Sequence, residues 1–145
     1  MKRWPLEYWK KLIQLLPNQR FVVLGGPDDQ FCQELADLAP GRVINQAGKL
    51  TWVETAQEIR SARAVVSGDT GVMHIADAMA TPVVAIIGPT AFGYPSRSTS
   101  LVVETKLDCK PCSKDGRGRC RNSQYKFCLT SLAPETVSEA LKALL

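Results

Sequence analysis

Apolar residues along the chain follow two alternating rhythms. Leu6, Trp9, Leu12, Ile13 and Leu16 recur at helical spacing after Pro5, and Pro17-Asn18 stops that stretch. Phe21-Val-Val-Leu24 is a short continuous apolar run, as expected of a strand buried on both faces. The turn Gly25-Gly26-Pro27-Asp28-Asp29 leads into a helical pattern carrying Phe31, Leu35 and Leu38, which Pro40-Gly41 breaks. Val43-Ile44 begins a second strand. Thr51, with Glu54 three residues later, is a capping-box pair and predicts a helix from Trp52 to about Ala62. Ala64–Ser67 reads as a third strand, Gly68-Asp69-Thr70-Gly71 as a tight turn, and Val72–Ala80 as a helix rich in small residues. Val83–Ile87 is the most apolar strand, Gly88-Pro89-Thr90 turns out of it, and Leu101–Val103 is a fifth strand. Residues 106–128 form an irregular, basic, cysteine-rich insertion, and Pro134 opens a terminal helix.

Strands alternating with helices of this length specify βαβ units. The expected fold is α/β: one Rossmann-like domain over residues 1–145, with a parallel sheet and helices on both faces. Ligands in such sheets bind beyond the carboxyl ends of the strands. The turns Gly25–Asp29, Gly68–Gly71 and Gly88–Thr90 all belong to that edge.

The composition is that of an ordinary globular chain, with 145 residues, 45% hydrophobic and 22% charged. No apolar run reaches the roughly 20 residues of a membrane span, and Met1–Pro5 holds no apolar core of a secretory signal. A net charge of +4 is not by itself a nucleic-acid signature. Four of the five cysteines crowd into residues 109–128, unlike a disulfide framework spread over a small secreted fold. The expected setting is the cytoplasm, with reduced thiols.

Gly68–Gly71 stands between a strand and a helix. Its glycines allow a ligand close to the backbone, and the following helix offers free N–H groups and a positive dipole end suited to a diphosphate. Capping of the helix by Asp69 or Thr70 is the bland reading of the same residues. Asp-Thr-Gly also occurs in aspartic proteases, which need an all-β frame and a second carboxylate that this chain does not suggest. His74, the only histidine, follows Thr70 by one helical turn. Asp28 and Asp29 suit a ribose hydroxyl or a helix cap. Cys109-x-x-Cys112, Cys120 and Cys128 leave three states open: a tetrahedral structural zinc, disulfides, or free thiols. Lys106, Lys110, Lys114, Arg117, Arg119, Arg121 and Lys126 make the same lobe basic. Cys32, on a helix, reads as a buried apolar side chain.

Together, Gly68-Asp-Thr-Gly-Val-Met-His-Ile-Ala76 and Pro82-Val-Val-Ala-Ile-Ile-Gly-Pro-Thr90 resemble glycosyltransferase family 9, the bacterial ADP-heptose:lipopolysaccharide heptosyltransferases. Lys2-Arg-Trp-Pro5, Leu24-Gly-Gly-Pro-Asp28 and Pro134-Glu-x-Val137 match as well, and the cysteine insertion is similar to the heptosyltransferase II branch. The resemblance implies the C-terminal, donor-binding half of a GT-B enzyme. The N-terminal acceptor half, with its Asp base, is expected to be missing, since the chain opens inside the Lys-x-Trp-Pro motif. It implies ADP-heptose as donor and the lipopolysaccharide inner core as acceptor, reached through the other half, with peripheral attachment at the inner face of the inner membrane. Matched to the family, Lys2, Thr70 and Gly71 fall on the diphosphate and Asp69 on heptose hydroxyls. His74 completes the motif, Asp28 falls near the ribose, where Glu is common in the family, and Leu50 near adenine. No catalytic residue and no catalytic metal are expected in this chain. Another GT-B nucleotide-sugar enzyme such as an epimerase, a zinc-knuckle nucleic-acid module, and an interaction domain without chemistry are the competing readings.

Overall fold

The computed structural model describes residues 2–145. Helix α1 (Leu6–Leu15) precedes strand β1 (Phe21–Val23), α2 (Cys32–Leu38), β2 (Val43–Asn45), α3 (Trp52–Ser61) and β3 (Val65–Gly68). Then come α4 (Gly71–Ala78), β4 (Val83–Ile87), β5 (Leu101–Glu104), α5 (Phe127–Thr130) and α6 (Pro134–Lys142). All strand pairs are parallel. They form two ladders, β1–β2 and β3–β4–β5, with Val65 opposite Val83 and Val84 opposite Leu101.

Strand β4 shows why the fold needs helices on both faces. Val84 and Ile86 pack with Leu12 of α1 and with Val137 and Leu141 of α6. Val83, Ala85 and Ile87 pack with Ile59 of α3 and with Met73 and Ala76 of α4. Every β4 residue is buried, so the strand reads as an unbroken apolar run. The predicted capping box is formed: the Thr51 hydroxyl accepts from the Glu54 amide, and the Glu54 carboxylate accepts from the Thr51 amide. Cys32 is buried among apolar neighbours, and that burial pushes its thiol up.

Strand β1 departs from expectation. Ile13, Leu35 and Val43 bury one face of the β1–β2 ladder with help from Phe21 and Val23. On the other face Val22 is 43% exposed and its partner Ile44 is 52% exposed. Helix α3 packs on α4 and does not cover this ladder. A short apolar run therefore does not distinguish a strand covered on two sides from one covered on one. Pro5 sits at the N-cap of α1.

Candidate functional site

Strand β3 delivers Asp69 to the carboxyl edge of the sheet, 8% exposed, with Thr70 next as the N-cap of α4. Lys2 Nζ reaches Asp69 Oδ2 at 3.3 Å, and His74 Nε2 lies 3.3 Å from Oδ1. Thr90, at the end of the β4 turn, is buried with its hydroxyl beside this carboxylate. Burial works against the Asp69 charge. The Thr90 hydroxyl, the Lys2 ammonium and the His74 ring outweigh it and hold the carboxyl below its usual value. Lys2, 67 residues from Asp69 in sequence, thus joins Asp69 and His74 in one polar cluster.

Thr70 makes no side-chain cap, because its hydroxyl is turned to the Ser67 hydroxyl at 3.0 Å. The first turn bond of α4 is His74 N–H to the Thr70 carbonyl. The amides of Gly71, Val72 and Met73 have no backbone acceptor among the described residues, as at any helix start; Gly71 is exposed and Met73 buried. The capping expectation for Asp69 and Thr70 is therefore not met.

Of the remaining predicted residues, Leu50 is half-buried in the β2–α3 connection. Asp28 is exposed on the β1–α2 turn, and its side chain makes no hydrogen bond or ion pair among the described residues. Its neighbour Asp29 is engaged instead. It accepts from the Gly26 amide at 2.8 Å and from the Arg3 guanidinium at 2.6 Å, and that guanidinium lies over the Phe31 ring.

Two loops close on the Lys2–Asp69 pair, and sequence reasoning missed both. Gly93 is buried, and a Cβ there would overlap Asp69 Cβ, Cγ and Oδ1. Gly116, in the left-handed region at φ +85°, is buried against the stem of Lys2, where a Cβ would overlap Cγ and Cδ. The cysteine-rich insertion therefore does not lie outside the strand-end turns, as its sequence position suggests. Its Cys112 and Ser113 amides donate to the Pro89 carbonyl at 3.2 Å, and Ser113 bridges to Thr90. Glu104 ties both loops to β5, accepting from Lys110 at 2.8 Å and from the Tyr94 hydroxyl at 2.9 Å. Lys110 first, then Tyr94, holds the Glu104 carboxyl below its ordinary range against the opposing effect of burial.

Cys109, Cys112, Cys120 and Cys128 are unlinked thiols. Cys120 Sγ accepts from the Lys126 amide at 3.3 Å and Cys109 Sγ from Asn122 Nδ2 at 3.6 Å. Burial pushes the Cys128 thiol up, against the opposing pull of the Lys110 ammonium. Among the described residues, no three His, Cys, Asp or Glu side chains converge so as to hold a metal ion. The zinc set suggested by the spacing does not fit the arrangement as it stands. Cys109 and Cys120 instead accept hydrogen bonds from within the insertion, a segment poor in apolar residues. Replacing Cys109 and Cys112 together by serine is expected to raise amide exchange across residues 106–126 while leaving β3–β5 protected. Uniform loss of protection in all strands would show that the cysteines support the core instead.

Residues 1–126 match the family model of glycosyltransferase family 9 (heptosyltransferase). The chain belongs to this family. Lipooligosaccharide heptosyltransferase 2 of Haemophilus ducreyi is 31% identical over 99% of the chain and 44% of its own length. The Haemophilus influenzae enzyme of that name is 30% identical over 99% of the chain and 43% of its length. Among solved structures, E. coli ADP-heptose lipopolysaccharide heptosyltransferase II superposes with a TM-score of 0.79 at 24% identity, over 99% of the chain and 42% of that protein. An E. coli heptosyltransferase solved with ADP superposes with a TM-score of 0.74 at 23% identity, over 99% of the chain and 40% of that protein. The chain thus spans less than half the length of these relatives. The epimerase and nucleic-acid readings find no support in these relatives. No helix among the described residues is long and apolar enough to cross a membrane.

Proposed function

We propose that this family 9 chain is the donor-binding half of a heptosyltransferase, built to hold ADP-heptose for transfer to the lipopolysaccharide inner core. The observation that carries this reading is the start of α4: exposed Gly71 and half-buried Val72 lead the helix with amides that have no backbone acceptor among the described residues, two residues on from the Asp69 carboxylate that the Lys2 ammonium pairs with. A diphosphate there meets N–H donors, the positive helix end and a cation. In glycosyl transfer the diphosphate departs with growing negative charge, and these same groups stabilise it with no metal required. In this reading Asp69 and His74 meet sugar hydroxyls, Leu50 the base and Asp28 the ribose.

The acceptor and the base that activates it belong, in this reading, to a complementary half on the other side of the cleft. The chain alone then binds donor weakly and transfers nothing. Because the acceptor is a lipid-linked core, the assembled enzyme works at the cytoplasmic face of the inner membrane.

Titration with millimolar ADP, followed by NMR, tests the site directly. Shifts should appear at Gly71, Val72 and Met73, with smaller ones near Gly25 and Thr90, and UDP should not surpass ADP. An unperturbed α4 start would refute the donor-site reading.

A further inference from the structure

Of the three tryptophans, Trp4 is buried in the main core and Trp9 is half-buried against it, whereas Trp52 is 70% exposed. Trp52 is the first residue of α3, so the Thr51–Glu54 capping box fixes its backbone. Its ring lies edge-on to the turn that opens α4. A Cβ at Gly71 would stand 3.3 Å from Trp52 Cη2 and 3.5 Å from Cζ3. The buried cluster on this side of the sheet, Ile59, Met73, Ala76, Val83, Ala85 and Ile87, does not include the ring. Trp52 thus presents a large apolar surface to solvent beside the proposed diphosphate turn, and its packing on Gly71 accounts for only one edge of it.

The surroundings of that turn are chemically two-sided. Lys2, His74 and Thr90 gather around Asp69. Trp52, with half-buried Leu50 before it and exposed Val53 after it, supplies an apolar flank on α3 and its leading loop. A nucleoside diphosphate sugar seated on the α4 amides sends two unlike groups away from its phosphates. The polyhydroxylated sugar is satisfied by a carboxylate, an ammonium and an imidazole. The flat heteroaromatic base is satisfied by an aromatic face.

We propose that Trp52 is the platform on which the base of the bound nucleotide stacks. The proposal rests on the donor-site reading and adds to it a residue that discriminates a nucleotide from a bare diphosphate. Stacking needs only a π face, so Trp52 contributes affinity for the nucleotide as a whole, and the choice of base falls to other contacts.

The test compares ADP with inorganic pyrophosphate on the 145-residue chain and on Trp52→Ala and Trp52→Phe. Trp52→Ala should bind ADP about tenfold more weakly, within the range found for lost base–aromatic stacking, and bind pyrophosphate as the parent does. Trp52→Phe should recover most of the loss. In the parent, ADP should quench the emission of the exposed tryptophan and pyrophosphate should not. Equal weakening of both ligands by Trp52→Ala would mean that the ring only supports the turn, and unchanged ADP affinity would mean that the base lies elsewhere. Either result overturns the proposal while leaving the donor site intact. A parent chain that binds neither ligand would overturn the donor-site reading, and the proposal with it.

Discussion

Gly93→Ala is expected to lower the melting temperature and weaken the site in one step. The new Cβ would occupy the space of the Asp69 side chain, which is itself held by Lys2 and His74 and crowded by Thr90. Neither side yields cheaply. Turning Asp69 outward breaks its ion pair with Lys2. Withdrawing the loop pulls at Tyr94, whose hydroxyl is bonded to Glu104. It also pulls at Ser96 and Arg97, whose amides are bonded to Asp77 of α4. Overpacking of this kind costs about 1–3 kcal/mol, which for a domain of this size lowers Tm by roughly 3–10 °C. ADP-induced shifts at Gly71 should shrink in parallel, because the α4 start and Asp69 move together. Gly26→Ala is the control: its Cβ would meet only Asp29 Oδ2, at an ordinary 3.7 Å. If Gly93→Ala matches Gly26→Ala in both stability and ADP response, loop 91–96 is free to retreat and does not position Asp69.

Gly93 also shows where reading the chain in one dimension stops. The Gly68–Gly71 turn, the Thr51–Glu54 cap, the β4 run and Pro134 at the start of α6 were all legible, because each is a local pattern with a local cause. Membership of the family was legible in the same short motifs. The partners of Asp69 were only half legible. His74 follows from helical spacing, whereas Lys2 is 67 residues away and could be assigned only through the resemblance. The two glycines that seat the pair carry no periodic signal. Gly93 is needed because another side chain fills its Cβ space, and Gly116 because Lys2 crosses a left-handed turn of the insertion. The single hint was the presence of glycines in loops just beyond Thr90 and within a lobe otherwise rich in long basic side chains. The docking of that lobe on Pro89 and Thr90 runs through backbone groups, which composition cannot report. The exposure of Val22 and Ile44 was hidden for a related reason. Apolar pattern identifies a strand, but the path of α3 decides whether both its faces are covered.

Removing Lys2 should produce the largest loss of donor affinity of any single change at this edge. A charge-assisted contact is worth about 1.5–3 kcal/mol, so Lys2→Ala should weaken ADP binding roughly tenfold to a hundredfold. Two effects act in the same direction. The ammonium no longer meets the diphosphate, and Asp69, 3.3 Å from it, is left as an uncompensated negative charge near an anionic ligand. The second effect can be separated from the first. Asp69→Asn in the Lys2→Ala background removes the repelling charge and should recover part of the lost affinity, whereas Asp69→Asn alone should leave ADP binding nearly unchanged. Thr70→Ala should cost less than Lys2→Ala, since its hydroxyl is paired with Ser67 and the backbone donors of α4 remain. Calorimetry on the parent, the two single variants and the double closes the Lys2–Asp69 cycle, with Thr70→Ala measured beside it. A Thr70→Ala loss as large as that of Lys2→Ala would shift the diphosphate from the lysine to the threonine hydroxyl. A double variant no better than Lys2→Ala would show that Asp69 lies too far from the phosphates to repel them, and that Lys2 acts on the ligand alone.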